Sequence, residues 1–540
     1  MKEIRNLLLL IVTGYGLLMS LPGFSQVKIN SFTNDFSPSL NGQEVIFNFP
    51  LTVCRTYYNS PSGGVILSPD RLFSPTEIAL PGSDAIAQAS LNGQRKLTLN
   101  SSTYSYTDSN QTLRTGSRVN GLRGFLYYNS GAYSLTPTVQ PSFSGNERTA
   151  SPGTVGNCNL RVASFNVEYY IAKDSLWGKG YGADNQAEFD RQRAKILAAL
   201  KGLDADIYAL CEVGQGNTSV IDLVNGLNAL TSSNVYTYVA DNDYKESTYT
   251  KNVFIYNKNK VTPYNSITFF GSGGYRLRQV AQGFELKSNG EKVIICVNHL
   301  KSKSGGGTGA DADTGDGQGS SNYTRVTQAQ LIVNTLNKLV SSYNDPDVLV
   351  VGDMNAYSME DPIKVLTDNG LVNQLKRFSP EEYSYVYQAE AGFLDHSLAT
   401  ATLSKQVTGA RPWHINADEP GYFDYKSSAY FSADPYRSSD HDPVLTGISL
   451  GNYNTGIEGT TLDKGQQLLV YGNPSNGYLT LSAEWIDRVE LFTVGGRLLY
   501  SSVNEVPGPN FLLSIAQFSK GFYLVRAFNG KKAVTSRLVL

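Results

Sequence analysis

The chain predicts an α/β layered domain over residues 160–450, flanked on each side by a β-rich segment. Three observations predict it. Apolar strand-like runs alternate with amphipathic helical segments through the middle stretch. The flanking stretches carry short alternating runs and hardly any helical periodicity. The length, 540 residues, corresponds to about three domains.

Composition narrows the class. The chain is 41% hydrophobic and 17% charged, too apolar for a disordered protein. With 45 basic and 47 acidic residues the net charge is -2, so no global basic field marks a passive nucleic-acid coat protein. The 34 tyrosines suit β-rich surfaces. Four cysteines in this length exclude a disulfide-stapled mini-scaffold.

The elements follow in chain order. Lys2 and Arg5 precede an apolar run over 7–18, Pro22 breaks it, and small residues end at Ser25. This reads as a secretory signal peptide over 1–25. The run is shorter than the ~20 residues of a membrane span, and no later stretch approaches that length, so no transmembrane anchor is expected. Export permits disulfides. Cys54 and Cys158 are candidates for one, while Cys211 and Cys296, inside apolar runs, are expected as buried thiols. Residues 26–157 contain strand-like runs at 45–49, 95–99 and 121–129. They predict a small all-β domain, with an OB-type barrel as a candidate architecture; a strand-binding role and an inert spacer both stay open. In the middle domain, 158–450, residues 189–200 form an amphipathic helix with Arg191, Arg193 and Lys195 outward. A second helix spans 323–340, and 207–210, 293–297 and 348–351 are buried strands. Residues 451–465 make a Gly/Thr/Asn linker, and 466–540 return to strand-like runs that predict a small β-sandwich.

The chemistry concentrates in the middle domain. It holds 26 basic and 33 acidic residues, a net charge of -7, and acids at strand ends suit a hard-cation site. Ser164-Phe165-Asn166-Val167-Glu168 ends the first strand; Glu212 and His299 end two others. Asp353 and Asn355 stand at i, i+2 and share one face of an extended chain. Leu394-Asp395-His396 and Ser438-Ser439-Asp440-His441-Asp442-Pro443 complete the set. Each alone suits an ordinary structural hydrogen bond. Six polar strand ends holding three of the four histidines point to a site.

In this order the motifs resemble the endonuclease/exonuclease/phosphatase superfamily, the fold of DNase I-like nucleases, over 160–450. Asn298-His299-Leu300-Lys301-Ser302-Lys303 and Trp413-His414-Ile415-Asn416-Ala417-Asp418-Glu419-Pro420 are similar to its large secreted bacterial nucleases. The resemblance implies a four-layer α/β sandwich of two packed mixed sheets, with the site at one rim and Mg²⁺ or Mn²⁺ as cofactor. It implies Glu212, Asn166 and Asp440 as metal ligands, and Asp353 and Asn355 as the residues that orient the attacking water. His441, oriented by Asp395, and His299 would serve the phosphate, with the identity of the general base open. Arg276, Arg278, Lys301, Lys303 and Arg325 are candidate phosphate contacts. Asp311, Asp313 and Asp316, in the Gly/Asp-rich loop 302–322, are candidates to wrap Ca²⁺. His396 and His414 match no catalytic role and are expected as structural residues.

The tail motifs Val470-Tyr471-Gly472-Asn473-Pro474, Gly495-Gly496-Arg497-Leu498 and Lys520-Gly521-Phe522-Tyr523 resemble the C-terminal sorting domain of the type IX secretion system. That implies passage through a periplasm to the cell surface and interaction with the secretion machinery. The expected protein is a monomeric secreted nuclease that cuts DNA endonucleolytically with little sequence preference, RNA being a second substrate. One alternative is a secreted phosphodiesterase or phosphatase of the same fold acting on sphingomyelin or inositol phosphates. The other is a non-catalytic surface adhesin that retains the fold.

Overall fold

The structure, a computed structural model, describes residues 26–32, 35–56, 64–100, 113–241, 249–272, 278–451, 468–471, 478–493, 498–519, 521–530 and 532–540. The signal-peptide reading and nearly all of the linker lie outside them. The chain divides into two compact units, Met1–Asn452 and Tyr453–Leu540.

The architecture of the first unit follows from strands that are apolar on both faces. Ile207–Gly214 and Val348–Asp353 are buried along their whole length, which requires cover on each side. Ile207, Ala209 and Cys211 pack against Val293, Ile295, Val297, Leu349 and Val351 between two sheets. The alternate residues Tyr208 and Leu210 meet Ile196, Leu200, Leu223 and Leu227 of the helices Gln186–Leu203 and Thr218–Leu230. On the far side Ile294, Cys296 and Val350 meet Ile332, Leu336 and Ile363 of Asn322–Tyr343 and Asp361–Asp368. Four layers result, helix, sheet, sheet, helix.

Each sheet has six strands. The first runs Tyr236–Tyr238, Thr250–Asn257, Ile207–Gly214, Leu160–Tyr170, Val444–Ile448, Val407–Pro412. The second runs Val261–Phe269, Gln279–Leu286, Lys292–His299, Val348–Asp353, Asp395–Ala399, Val372–Asn373. The central pairs, Leu160–Tyr170 with Ile207–Gly214 and Lys292–His299 with Val348–Asp353, are parallel. The helix Gln186–Leu203 departs from the expected pattern at Lys195, which is buried. Its Nζ donates to the Tyr436 carbonyl at 2.7 Å and pairs with Asp434 at 3.3 Å. The segment around Tyr425–Tyr436 covers this face, Arg191 donating to the Tyr425 carbonyl at 2.6 Å.

Ahead of the two sheets stands a sheet of nine strands, where an OB-type barrel has five. Its core holds Val45, Phe47, Val53, Leu67, Leu97, Leu126 and Leu135. A helix, Ser83–Gln94, interrupts the expected all-β order. It carries no apolar stripe for the sequence to display: Ile86 and Leu91 are 55% and 51% exposed. All four cysteines are free thiols, so the candidate Cys54–Cys158 disulfide, which the sequence left open, does not form; Cys211 and Cys296 are buried.

Buried carboxylates tie this sheet to the α/β layers. Asp418 accepts from Tyr383 Oη at 2.8 Å, Asn146 Nδ2 at 2.7 Å and Thr115 Oγ1, and pairs with Arg71 at 3.5 Å. Glu419 takes Arg114 Nε at 2.8 Å and Arg148 Nη2 at 2.6 Å. Glu77 accepts from Ser358 Oγ at 2.7 Å, from the Ser358 and Phe393 N–H groups at 3.1 Å each, and from Lys376.

The second unit is one five-stranded sheet. Its two long strands, Tyr478–Thr493 and Leu498–Ser514, shift register between Ser482 and Arg488. They close over Leu479, Leu481, Ile486, Val489, Leu513 and Val525, where a sandwich of separate sheets was expected. Among the described residues no helix is long and apolar enough to cross a membrane.

Asp418 is held at about 2, because Arg71, His414 and Arg114 outweigh a burial effect that would raise it. A depressed carboxylate stabilises the fold above its unfolded value near ~4, and the stabilisation disappears as pH falls through about 2. Asp418→Ala leaves Arg71 and Arg114 unpaired, and denaturant unfolding at pH 7 should show a loss of about 3–5 kcal/mol. A loss under about 1 kcal/mol, the scale of a surface pair, would contradict the buried hub.

Candidate active site

Strand alternation and register assemble the site at the rim where the parallel strands end. In the second sheet His299 pairs with Asp353, and Asp353 with Asp395. Partners in register point to the same face, here the inter-sheet face that Leu349, Val351 and Ala399 share. Gly352 makes the close approach possible: its φ is +121°, and a Cβ there would lie 2.0 Å from the Asn298 carbonyl oxygen. In the first sheet Asn166 takes the inter-sheet face and donates to Asp353 Oδ2 at 3.1 Å.

Glu212 reaches the rim by breaking alternation. Its φ is +64°, and the register shifts between Leu210 and Val213. Cys211 therefore faces the inter-sheet core while Val213 faces the helices. A bulge in Leu160–Tyr170 answers it, with φ of +50° at Glu168 and +53° at Tyr169. Tyr169 N–H then donates to Glu212 Oε2 at 3.0 Å. Asn355 adopts φ +46°, so the chain beyond Asp353 turns back instead of staying extended. Its N–H donates to Asp353 Oδ1 at 2.8 Å and its Nδ2 to Asp353 Oδ2 at 3.2 Å. Left-handed backbone at non-glycine residues costs of order 1–3 kcal/mol each and collects at functional sites.

Two imidazoles meet at Asp353. His299 Nε2 lies 3.6 Å from Asp353 Oδ2 and 3.6 Å from Glu212 Oε1. His441 Nε2 lies 3.7 Å from Asp353 Oδ2, and its Nδ1 donates to Asp395 Oδ2 at 2.8 Å. Tyr385 packs on the His441 ring, centroids 4.6 Å apart. The two rings are pushed in opposite directions. Burial, helped by Arg278, His441 and Lys301, holds His299 well below the usual histidine range. Burial also opposes charge on His441, but Asp395, Asp353 and Asp440 outweigh it and push that ring well above the usual histidine range.

The carboxylates are crowded. Burial first, then Asp440 and Asp353, pushes Glu212 up to about 7. Burial and Asp440 push Glu168 up to about 8, and burial raises Asp353 to about 6. Buried carboxylates that raise one another hold more negative charge than Arg278, Arg437 and His441 offset, and oxygen donors of this kind fit a hard divalent cation. Among the described residues Asp353, Asp395 and His441 bring ligand atoms within 4.8 Å of one another. Asp395 and His441, however, already hydrogen-bond to each other.

The other expected residues divide. Arg278 and Lys301 lie close enough to act electrostatically on His299. Lys303 is spent on Glu360, at 2.5 Å, and on the Gln318 carbonyl at 2.8 Å. Arg325 is fully buried and donates to the carbonyls of Ser320 and Gln318 at 2.8 and 2.9 Å. Neither guanidinium nor ammonium remains for a phosphate, because the loop over 302–322 uses both to close itself. Its acids make local hydrogen bonds, Asp311 to Thr324, Asp313 to the Gly315 N–H and Asp316 to the Gln318 N–H, and among the described residues they do not gather into a group of metal ligands. Arg276 lies outside the described residues. His396 Nε2 meets the Ala356 carbonyl at 2.8 Å and is structural. Sequence reasoning did not single out Glu168 or Tyr385 as site residues. Glu168 closes a motif already read as a strand end, whereas nothing marks Tyr385 among 34 tyrosines.

A profile of the endonuclease/exonuclease/phosphatase family matches residues 163–441, and one of the secretion system C-terminal sorting domain matches 469–540. Among solved structures, an endonuclease/exonuclease/phosphatase from Bacteroides vulgatus is 16% identical, with a TM-score of 0.38, over 54% of this chain and 98% of that one. A mannosyl-6-phosphatase from Bacteroides thetaiotaomicron is 14% identical, with a TM-score of 0.36, over 54% and 99%. The human Nocturnin catalytic domain is 16% identical, with a TM-score of 0.36, over 55% and 96%. No curated protein matches the chain.

His414 braces the rim, Nδ1 on Asp442 at 2.8 Å and Nε2 on Glu382 at 2.5 Å. Burial opposes its charge, but these two hydrogen bonds carry it up to about 10. A raised histidine stabilises fully below its unfolded value of ~6.5, and the stabilisation is lost as pH rises through about 10. Thermal unfolding of His414→Gln should therefore trail wild type most at pH 6, the gap narrowing toward pH 10. A gap that does not change with pH would refute the charged clamp.

Proposed function

The chain belongs to the endonuclease/exonuclease/phosphatase family, and from that membership we propose that it is an exported, divalent-metal-dependent nuclease. It hydrolyses phosphodiester bonds of extracellular DNA endonucleolytically, with little sequence preference, and RNA is its second candidate substrate. The family makes it a hydrolase of phosphate esters, and the sorting domain directs it to the cell surface or the extracellular space.

The observation that carries the reading is the pair of histidines set on either side of Asp353, next to Glu212. Titratable groups whose environments push them apart divide acid from base roles. The acids around His441 favour its charged form; Asp395 anchors Nδ1 and leaves Nε2 to neutralise a phosphate oxygen. His299 stays neutral and can accept or pass a proton at Nε2. Asp353, fixed by Asn166 and Asn355, is the acceptor that orients a water. Arg278 and Lys301 supply positive field for the diester on the His299 side. Glu212, with Asn166 and Asp440, would hold Mg²⁺ or Mn²⁺, which when bound neutralises charge on the scissile phosphate and favours the leaving oxygen.

A panel of plasmid DNA, RNA, sphingomyelin and inositol phosphates, with Mg²⁺ or EDTA, tests the reading. Metal-dependent nicking of plasmid DNA is expected; intact plasmid beside turnover of sphingomyelin or an inositol phosphate would transfer the site to that substrate. On whichever substrate turns over, Glu212→Gln should lower kcat by about two to four decades, with Tm little changed and partial rescue by excess Mn²⁺. Near-wild-type turnover at low Mg²⁺ would remove Glu212 from the metal site.

A further inference from the structure

Beside Glu212 three tyrosine rings leave the site in sequence. Tyr169, whose N–H holds Glu212, packs on Tyr181 with centroids 5.2 Å apart, and Tyr181 packs on Tyr249 at 4.7 Å. Tyr181 and Tyr249 are each 39% exposed. Single exposed aromatics are ordinary; a contiguous run that begins at a reactive centre is not.

The local chain is built to present these rings. Gly178, Gly180 and Gly182 all have positive φ, 69°, 84° and 67°. At Gly182 a Cβ would stand 2.4 Å from the Tyr169 carbonyl oxygen, so only glycine lets this loop lie on Tyr169 and bring Tyr181 to it. Tyr249 is fixed independently, its carbonyl accepting from the Gln215 N–H at 3.0 Å just beyond the strand that carries Glu212. Lys173 and Lys179, on the loop that carries Tyr181, are exposed.

We propose that Tyr181 and Tyr249 form a stacking subsite for an unpaired nucleobase next to the scissile phosphate. This rests on the nuclease reading and specifies its substrate as single-stranded or locally opened nucleic acid. Flat rings that every base can stack on, with a cation for the neighbouring phosphate, bind a strand without reading its sequence. Inositol rings offer no π face to these tyrosines, and a choline headgroup would engage them by its charge and not by stacking.

The test measures binding of a fluorescent oligothymidylate, and of a base-free deoxyribose-phosphate oligomer of equal length, by anisotropy in EDTA. Wild type should bind the oligothymidylate more tightly than the base-free oligomer. Tyr181→Ala should weaken oligothymidylate binding about tenfold, the scale of one stacked base, while Tyr181→Phe stays within about twofold. On the base-free oligomer Tyr181→Ala and wild type should agree. Equal loss on both oligomers, or no loss on either, would overturn the subsite, as would failure of wild type to bind the oligothymidylate. Oligothymidylate bound with this pattern but never cut in Mg²⁺ would leave the subsite standing and overturn the nuclease reading instead.

Discussion

Two apolar sheets packed face to face leave no room for charge between them, so the polar ends of their central strands gather at one rim. The site depends on that constraint. Leu349 and Val351 alternate into the inter-sheet core, and two residues further the same alternation delivers Asp353 to the edge of the core. His299 and Asp395 follow through hydrogen-bonded register. Removal from water makes each electrostatic interaction stronger, so Arg278 and Lys301 beside His299 and Asp395 and Asp440 beside His441 push two rings that both face Asp353 in opposite directions.

The nine-stranded sheet belongs to the same design. Glu77 holds Ser358, three residues beyond Asn355, and Phe393, two before Asp395. Asp418 holds Tyr383, whose ring stacks on His414 with centroids 4.3 Å apart. Loops that lead to the rim residues are thereby fixed from outside the two sheets, by carboxylates whose hydrogen bonds satisfy them fully. An inert spacer would have no need of buried ion pairs, which are costly to desolvate and destabilising when half broken.

The sequence displayed the layered fold because continuous apolar runs are the direct imprint of strands covered on both faces, as at Ile207–Gly214. It displayed Asn166, Glu212, His299, Asp353, Asp395 and His441 because each is a polar residue ending or adjoining such a run. It did not display what depends on three-dimensional closure. The bulge at Glu212 and the left-handed turn at Asn355 are backbone events, invisible to alternation. Lys303 and Arg325 look like free cations until the 302–322 loop folds on them. Ser83–Gln94 hides because its apolar residues face outward, and Tyr385 because only the tertiary fold places it on His441.

The crowded carboxylates are the centre of this arrangement, and the divalent cation proposed for them would take one of two ligand sets. One uses Glu212 with Asn166 and Asp440; the other uses Asp353, Asp395 and His441. Calorimetric titration of Mn²⁺ into wild type, Glu212→Gln and Asp395→Asn separates them directly. Saturable binding by wild type, weakened at least about tenfold in Glu212→Gln and nearly unchanged in Asp395→Asn, is the expected result. Full-strength binding by Glu212→Gln with loss in Asp395→Asn would contradict it and move the metal to His441.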